Sequence, residues 1–261
     1  MAAQHPPGAI CVPHAGRADM ELTQFLVGAF QSGLAPRGSV FVPVRGSAIA
    51  LQRNIGVRAM VMESEARRER RAATRRSAEA AFRSEALNEA IREATDAMPD
   101  LGWVLFVDTD EDVPPTALMQ LLDRDLPLVS GVVLQRFWPY EVAAFSSVDP
   151  VRRVQPNEIQ WGEAKEVAAV GTGCLLIRRE VIDAVGDPWF KVGQINPELL
   201  QEDMWFSLRA ADKGYLPMLD GAVRVLHRTE GHVYLGKDGR VWMRPLCATE
   251  DMRYPINIRR A

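Results

Sequence analysis

The hydrophobic and polar positions of this chain alternate between two kinds of pattern. Ala9-Ile10-Cys11-Val12 is a short apolar run that ends at Pro13, the mark of a buried strand. Between Asp19 and Phe30, apolar residues recur at helical spacing (Leu22, Phe25, Leu26, Ala29), with Asp19 as the expected N-cap and Gly33 as the stop. Ser39 to Val44 predicts a second strand, and its proline places it at an edge or a strand end. Ser47 to about Ala97 is rich in Ala, Arg and Glu and predicts one long broken helix or two helices. Trp103 to Val107 is the strongest strand signal. It runs into Asp108-Thr109-Asp110-Glu111-Asp112, and Pro114-Pro115 then opens a helix over Thr116 to Leu122.

Leu128 to Leu134 predicts another strand, and Val167 to Ile177 an apolar strand broken by Gly171-Thr172-Gly173. A helix over Glu202 to Lys213 stops at Gly214, and Val223 to Leu226 is a short strand. Val233 to Leu235 and Val241 to Met243 flank Lys237-Asp238-Gly239, which has the turn chemistry of a hairpin. Strands alternating with helices predict an α/β sheet with helices on both faces.

Composition narrows the class. The 261 residues are 47% hydrophobic and 25% charged, which fits one globular body and excludes disorder, collagen and disulfide scaffolds. No stretch approaches the roughly 18 uncharged apolar residues of a membrane span. Residues 1–8, with two prolines and a glycine, read as a loose leader without signal-peptide character. Three widely spaced cysteines without CxxC spacing point to a reducing compartment, hence a cytoplasmic protein, and away from structural zinc. A net charge of −3 argues against polyelectrolyte binding by the chain as a whole.

The acidic run carries the most chemistry. In extended chain, Asp108 and Asp110 project to one side, at the carboxyl end of a buried strand, where open α/β sheets bind ligands. Two desolvated carboxylates call for a cation, and a cation held by so few protein ligands usually completes its shell with water and a diphosphate. The bland alternative is an acidic loop with Asp112 capping the next helix. An EF-hand is excluded, because it requires glycine at position 113 and glutamate at 119, where the chain has Val113 and Met119. A haloacid-dehalogenase-like phosphatase motif is partly matched by Asp108 to Val113, with Asp108 as its nucleophile. That motif normally sits on a first strand.

Gln201-Glu202-Asp203 precedes a helix; its carboxylates either complement the helix dipole or supply a general base. His227, after Val223 to Leu226, becomes a metal ligand only if the fold brings it to Asp110. Arg67, Arg68, Arg70, Arg71, Arg75 and Arg76 read as a solvated helix face, or as a surface for an anionic acceptor such as a lipid phosphate or a modified DNA base.

In order, these segments resemble a GT-A glycosyltransferase, similar to the family 2 type. They are Val12-Pro13, the run from Ala50 to Ala59, LFVDTDEDVPP, VSGVV, Gly171 to Arg178, EDMWFSLRAADKGY and LHR, over roughly residues 9–228. The resemblance implies a Rossmann-like nucleotide-diphospho-sugar transferase fold, with a donor-binding half at 9–134 and an acceptor-binding half at 135–261. It implies that Pro13, His14 and Ala15 line the base and ribose pocket and that Arg53 and Asn54 lie near the nucleotide. Asp108 would contact the ribose or the metal's water shell, and Asp110 with His227 would coordinate Mn²⁺ or Mg²⁺. Gly171 and Gly173 would wall the donor sugar, and Asp203 beside Glu202 would be the base of a single inverting transfer from a UDP- or GDP-sugar. The QxxRW motif of processive synthases is absent, which implies single transfer. A non-catalytic nucleotide-binding protein is the remaining alternative.

Overall fold

A computed structural model describes residues 5–14, 20–31, 33–45, 48–80, 89, 99–195, 198–229, 231–245 and 254–255. Its centre is a seven-stranded mixed sheet. In spatial order this is β2 (Val40–Arg45), β1 (Ala9–His14), β3 (Trp103–Val107), β10 (Cys174–Arg178), β5 (Leu128–Val132), β13 (Met218–Arg224) and β8 (Ala164–Glu166). β1, β2 and β3 are parallel, β10 is antiparallel to both β3 and β5, and β13 is parallel to β5. The chain is therefore of the α/β class, consistent with a GT-A-like fold. β2 lies at the edge, as its proline requires.

Alternation along the strands decides what each face buries. Ile10 and Val12, with Trp103, Leu105 and Val107, form one core with Leu22, Phe25 and Ala29 of α1 (Met20–Gln31) and Leu118, Leu121 and Leu122 of α3 (Ala117–Asp123). Ala9, Cys11, Val104 and Phe106 face the other way. They pack against Val57 and Met60 of α2 (Ile49–Ala80), Val181 and Ile182 of α4 (Arg179–Val185), and Phe206 and Ala210 of α5 (Glu202–Ala211). Two helical layers on one sheet follow directly from period two in the strands and 3.6 in the helices. Gly33 and Gly214, at φ +73° and +88°, stand just beyond α1 and α5 as the stops the sequence marks. The expected N-cap Asp19, and residues 81–88 and 90–98 of the long helical stretch, lie outside the described residues.

Three smaller sheets surround the core. One runs β17 (Tyr254–Pro255), β16 (Val241–Pro245), β15 (Gly231–Leu235), β14 (Leu226–Arg228) and β4 (Glu111–Asp112). The second is β7 (Val151–Arg153), β6 (Ala144–Val148) and β9 (Ala169–Val170), and the third is the pair β11 (Gly193–Ile195) and β12 (Glu198–Leu200). Strands β6, β7 and β8 were not legible, because residues 144–166 lack a clean alternation.

Two expectations are corrected. Residues 5–8 of the supposed loose leader are tied down: the Trp103 Nε1 donates to the Pro6 carbonyl at 2.8 Å, Gly102 N to Pro7 O at 2.7 Å, and Val40 N to Gly8 O at 2.9 Å. Asp112 does not cap α3. That helix begins after Thr116 without a side-chain cap, and Asp112 belongs to β4.

The arginine run is largely consumed internally. Arg67 is buried and donates to Glu63 at 2.9 Å and to the carbonyls of Pro99 and Gly38 at 3.0 and 2.8 Å. Arg68 and Arg71 share Asp100, and Arg70 reaches Glu63 at 3.0 Å. Three of these guanidiniums, Arg67, Arg68 and Arg71, thus staple α2 to the chain that enters β3, and Arg70 is paired within α2 itself.

Candidate active site

The parallel strands β1, β3 and β5 all end on the same edge of the sheet, and a cleft of about 240 Å³ opens there. Its lining includes Arg53, Asp108, Glu111, Arg136, Gly171, Thr172, Gly173, Asp203 and His227. Crevices at carboxyl strand ends are where open α/β sheets take ligands.

The chain leaves β3 in a turn, with the Glu111 amide donating to the Asp108 carbonyl at 3.2 Å. The extended geometry expected for residues 108–110 is therefore absent, and the two aspartates part company. Asp108 faces Arg53, whose Nη2 lies 3.3 and 3.4 Å from its carboxylate oxygens. Asp110 instead meets His227, at 3.2 Å from Oδ2 to Nε2, and Arg136 at 2.8 Å. This corrects the expected metal set. Asp110, Glu111 and His227 offer ligand atoms all within 4.8 Å of one another, and Asp108 is outside that group.

Sheet pairing explains the convergence. β14 pairs antiparallel with β4, so His227 lies directly opposite Glu111, and Arg228 N donates to Asp110 O at 2.9 Å. His227 Nδ1 lies 2.5 Å from the Leu134 carbonyl, a contact that requires an N–H there. The Nε2 is thereby aimed at Asp110, the outer-shell arrangement usual for a metal-ligating histidine. Adjacent ligands about 2.1 Å from an octahedral cation stand roughly 3.0 Å apart, near the observed Nε2 to Oδ2 spacing. Glu111 supplies a second test of fit. It is buried, and its Oε2 has no hydrogen-bond partner. Burial first, then the charges of Asp108 and Asp110, push its carboxyl well above the ordinary range, a cost that a divalent cation would relieve. Burial also acts to raise Asp110, but the hydrogen bond and charge of His227, with the charge of Arg136, outweigh it and hold Asp110 low.

Opposite this group stands α5. Glu202 is buried, ion-paired with Arg53 and absent from the cleft lining. Asp203 differs. Its Oδ1 accepts from the Met204 amide at 2.7 Å, and its Oδ2 lies 3.8 Å from where a Cβ on Gly171 would stand, on the cleft side. Burial, with the adjacent Glu202 charge, pushes its pKa up to about 6. That value suits proton transfer near neutral pH. An aromatic relay fixes α5 in place: Phe190 stacks on Phe206 at 4.7 Å and meets Phe106 of β3 edge-on at 5.4 Å.

Asn54 serves the same relay. Its amide bonds both the Phe190 carbonyl (2.7 Å) and the Phe190 amide (2.9 Å), so it positions structure and is not among the cleft-lining residues. Pro13 and His14 end β1 at this sheet edge, the Gln52 side chain donating to the His14 carbonyl at 2.9 Å. Ala15 lies outside the described residues. Gly171 and Gly173 line the cleft as expected, and Gly173 has a steric reason to be glycine: a Cβ there would stand 2.8 Å from Glu111 Oε1. The sequence pattern named Glu111 only as part of the acidic run and gave it no role, and it did not single out Arg136; Thr172 lines the cleft between the two glycines, within the expected wall of residues 171–173. The signal for Glu111 was present, since Val113 two residues on marks the same strip as partly buried.

No helix among the described residues is long and apolar enough to cross a membrane. No protein family matches the chain, and no curated protein matches it. Among solved structures, it is similar to the crystal structure of A197 from STIV, with TM-score 0.54 and 15% identity over 93% of this chain and 96% of that chain. At that identity the likeness concerns the fold alone, an α/β mixed-sheet architecture shared along nearly the whole of both chains.

Proposed function

We propose that this protein is a metal-dependent glycosyltransferase that moves a sugar from a nucleotide-sugar to a hydroxyl acceptor in a single, inverting step. One observation carries the reading: Glu111 and His227, two members of a cation-competent group completed by Asp110, line the same strand-end cleft as a separate carboxylate of raised pKa, Asp203. Asp110, Glu111 and His227 would hold Mn²⁺ or Mg²⁺, which when bound supplies positive charge that stabilises a diphosphate leaving group. Arg53 and Arg136 add cationic character beside the same position. Pro13 and His14, at the end of β1, would border the base and ribose. Asp203 accepts the proton of the acceptor hydroxyl as its oxygen bonds to the anomeric carbon; the bond from that carbon to the diphosphate oxygen breaks, and the electron pair leaves with the diphosphate.

The phosphohydrolase alternative has less support, because Asp108 is drawn to Arg53 and no lysine lines the cleft among the described residues. The two described cysteines, Cys11 and Cys174, are free buried thiols, which suits a cytoplasmic setting.

The testing experiment is a thermal-shift panel of UDP, GDP, CMP and dTDP, each with Mn²⁺ or with EDTA. A diphosphate at 100 times its Kd should add about 2.7 kcal/mol of stability, and only with the metal. Shifts equal with and without EDTA would sink the metal-bridged donor site. A second prediction follows from Gly173. Gly173→Ala drives the Glu111 carboxylate from its place, so Mn²⁺ affinity measured by calorimetry should fall at least about 10-fold while the far-ultraviolet spectrum is unchanged. Unaltered affinity would remove Glu111 from the metal group.

A further inference from the structure

A second cavity, of about 570 Å³, lies away from the strand-end cleft and is lined by Trp161, Arg224, Tyr234, Leu235, Gly236, Lys237, Asp238 and Trp242. It shares no residue with the cleft. In the β15–β16 pair, Tyr234 stands directly opposite Trp242, while Val233, Leu235 and Val241 are core residues on the alternate positions. The aromatic pair therefore occupies the other face of this small sheet from the core, and its size falls in the range of small-molecule sites.

The polar groups there have an unusual balance. Arg224 is buried, yet no carboxylate among the described residues forms an ion pair with it. Its Nε and Nη1 are committed to the carbonyls of Gly221, Leu235 and Gly236, which fixes the guanidinium plane and leaves Nη2 without an acceptor among the described residues. Burial lowers its pKa to about 10, a measure of how poorly the charge is solvated. The Lys237 ammonium likewise has no carboxylate partner among the described residues; it lies 4.5 Å from the centre of the Trp161 ring, which Arg224 also covers at 4.3 Å. The Tyr234 hydroxyl has no protein partner there either. Asp238, the one acid in the lining, is already engaged by Trp242 Nε1 at 3.1 Å and the Arg240 amide at 3.1 Å. Gly236 makes the arrangement possible, since a Cβ would collide with Asp238 and with the Trp242 indole at 2.6 Å.

We propose that this cavity is a binding site for an acidic saccharide, whose phosphate or carboxylate group pairs with Arg224 and Lys237 while its ring lies against Tyr234 and Trp242. Two cations against the single Asp238 charge, which acts on Arg224 without forming an ion pair, leave the cavity with a net positive charge that favours an anion, because a buried guanidinium gains most from an oxyanion that meets its spare donor. Tyr234 and Trp242 both border the cavity, with the Tyr234 hydroxyl beside them, while the Trp242 indole N–H is committed to Asp238. A pyranose matches this, with its apolar C–H face and its ring of oxygens. The site is independent of the metal group, and it gives the protein a second point of attachment to a sugar-containing ligand.

The test is calorimetric titration of the whole protein with glucose 6-phosphate, glucuronate, glucose, inorganic phosphate and AMP. Glucose 6-phosphate or glucuronate should bind saturably, at least about 10-fold more tightly than glucose or phosphate alone, and whichever is tighter identifies the anionic group. Lys237→Ala, an exposed position, should weaken that binding at least about 10-fold, as should Arg224→Gln if it folds; Asp110→Asn should leave it unchanged. Glucose binding as tightly as the acidic sugars would overturn the role of charge. Phosphate binding as tightly would overturn the role of the ring. Tighter binding of AMP, an undiminished Lys237→Ala, or no binding by either acidic sugar would overturn the assignment altogether.

Discussion

Asp110→Ala is expected to lower nucleotide-sugar turnover at least about 10³-fold, equivalent to about 4 kcal/mol of transition-state stabilisation. Asp110 lies 3.2 Å from His227 Nε2 and 2.8 Å from Arg136, so its removal takes an anionic oxygen out of the proposed cation group and leaves the Arg136 charge without its carboxylate partner. The loss should not come from unfolding. Asp110 sits in the turn that follows β3, and the β3 core, Trp103 to Val107, is untouched. The variant should therefore keep its melting transition while losing the extra stability that Mn²⁺ confers on wild type. Retention of wild-type turnover in the presence of excess EDTA would remove Asp110 from any metal role.

Asp203→Asn is expected to reduce kcat at least about 10²-fold, the usual scale for losing a general base. It should also stabilise the fold at neutral pH. The native pKa is about 6 against an ordinary value of 3.8, so the folded protein binds this proton more tightly than the unfolded chain does. The contribution to stability is fully present below pH 3.8 and is lost as pH rises through 6; at pH 7.5 the ionised group costs up to about 3 kcal/mol, at about 1.4 kcal/mol per unit. Asparagine keeps the oxygen that accepts from the Met204 amide and carries no charge. Its melting temperature should exceed that of wild type by several degrees at pH 7.5, the difference vanishing near pH 4. In wild type, transfer should rise with pH through about 6, as the base loses its proton. Equal melting temperatures at pH 7.5, or an unchanged kcat, would return Asp203 to a simple role in the first turn of α5.

The two variants separate the roles. Asp110→Ala abolishes metal-dependent stabilisation by nucleoside diphosphates, whereas Asp203→Asn keeps it and loses only transfer. A protein that binds the diphosphate with metal and transfers nothing, in wild type as in the variants, would be the nucleotide-binding alternative.

Much of the fold was legible because it rests on local periodicity. Ile10 and Val12 facing one way, with Ala9 and Cys11 facing the other, assign β1 to a sheet covered on both sides before any contact is known. The same holds for Trp103 to Val107, for α5 with its stop at Gly214, and for the hairpin around Gly239, whose φ is +74°. The strands between 144 and 166 were not legible, since two of them, β7 and β8, are only three residues long and partly exposed. Strands so short take their conformation from β6 and β13, with which they pair.

For the site, the sequence by itself determined which residue types were available and where: an acidic run at the end of the strongest strand, a carboxylate pair at the head of a helix, and a histidine after a short strand. Only the tertiary structure decided which of them meet. The turn after Val107 sends Asp108 towards Arg53, 55 residues earlier, and Asp110 towards His227, 117 residues later. The pairing of β14 with β4 then adds Glu111, and the ion pair with Arg53 separates Glu202 from Asp203. A carboxylate's role depends on its distance from charges distant in the chain and on its access to water. Neither quantity is carried by spacing along the sequence.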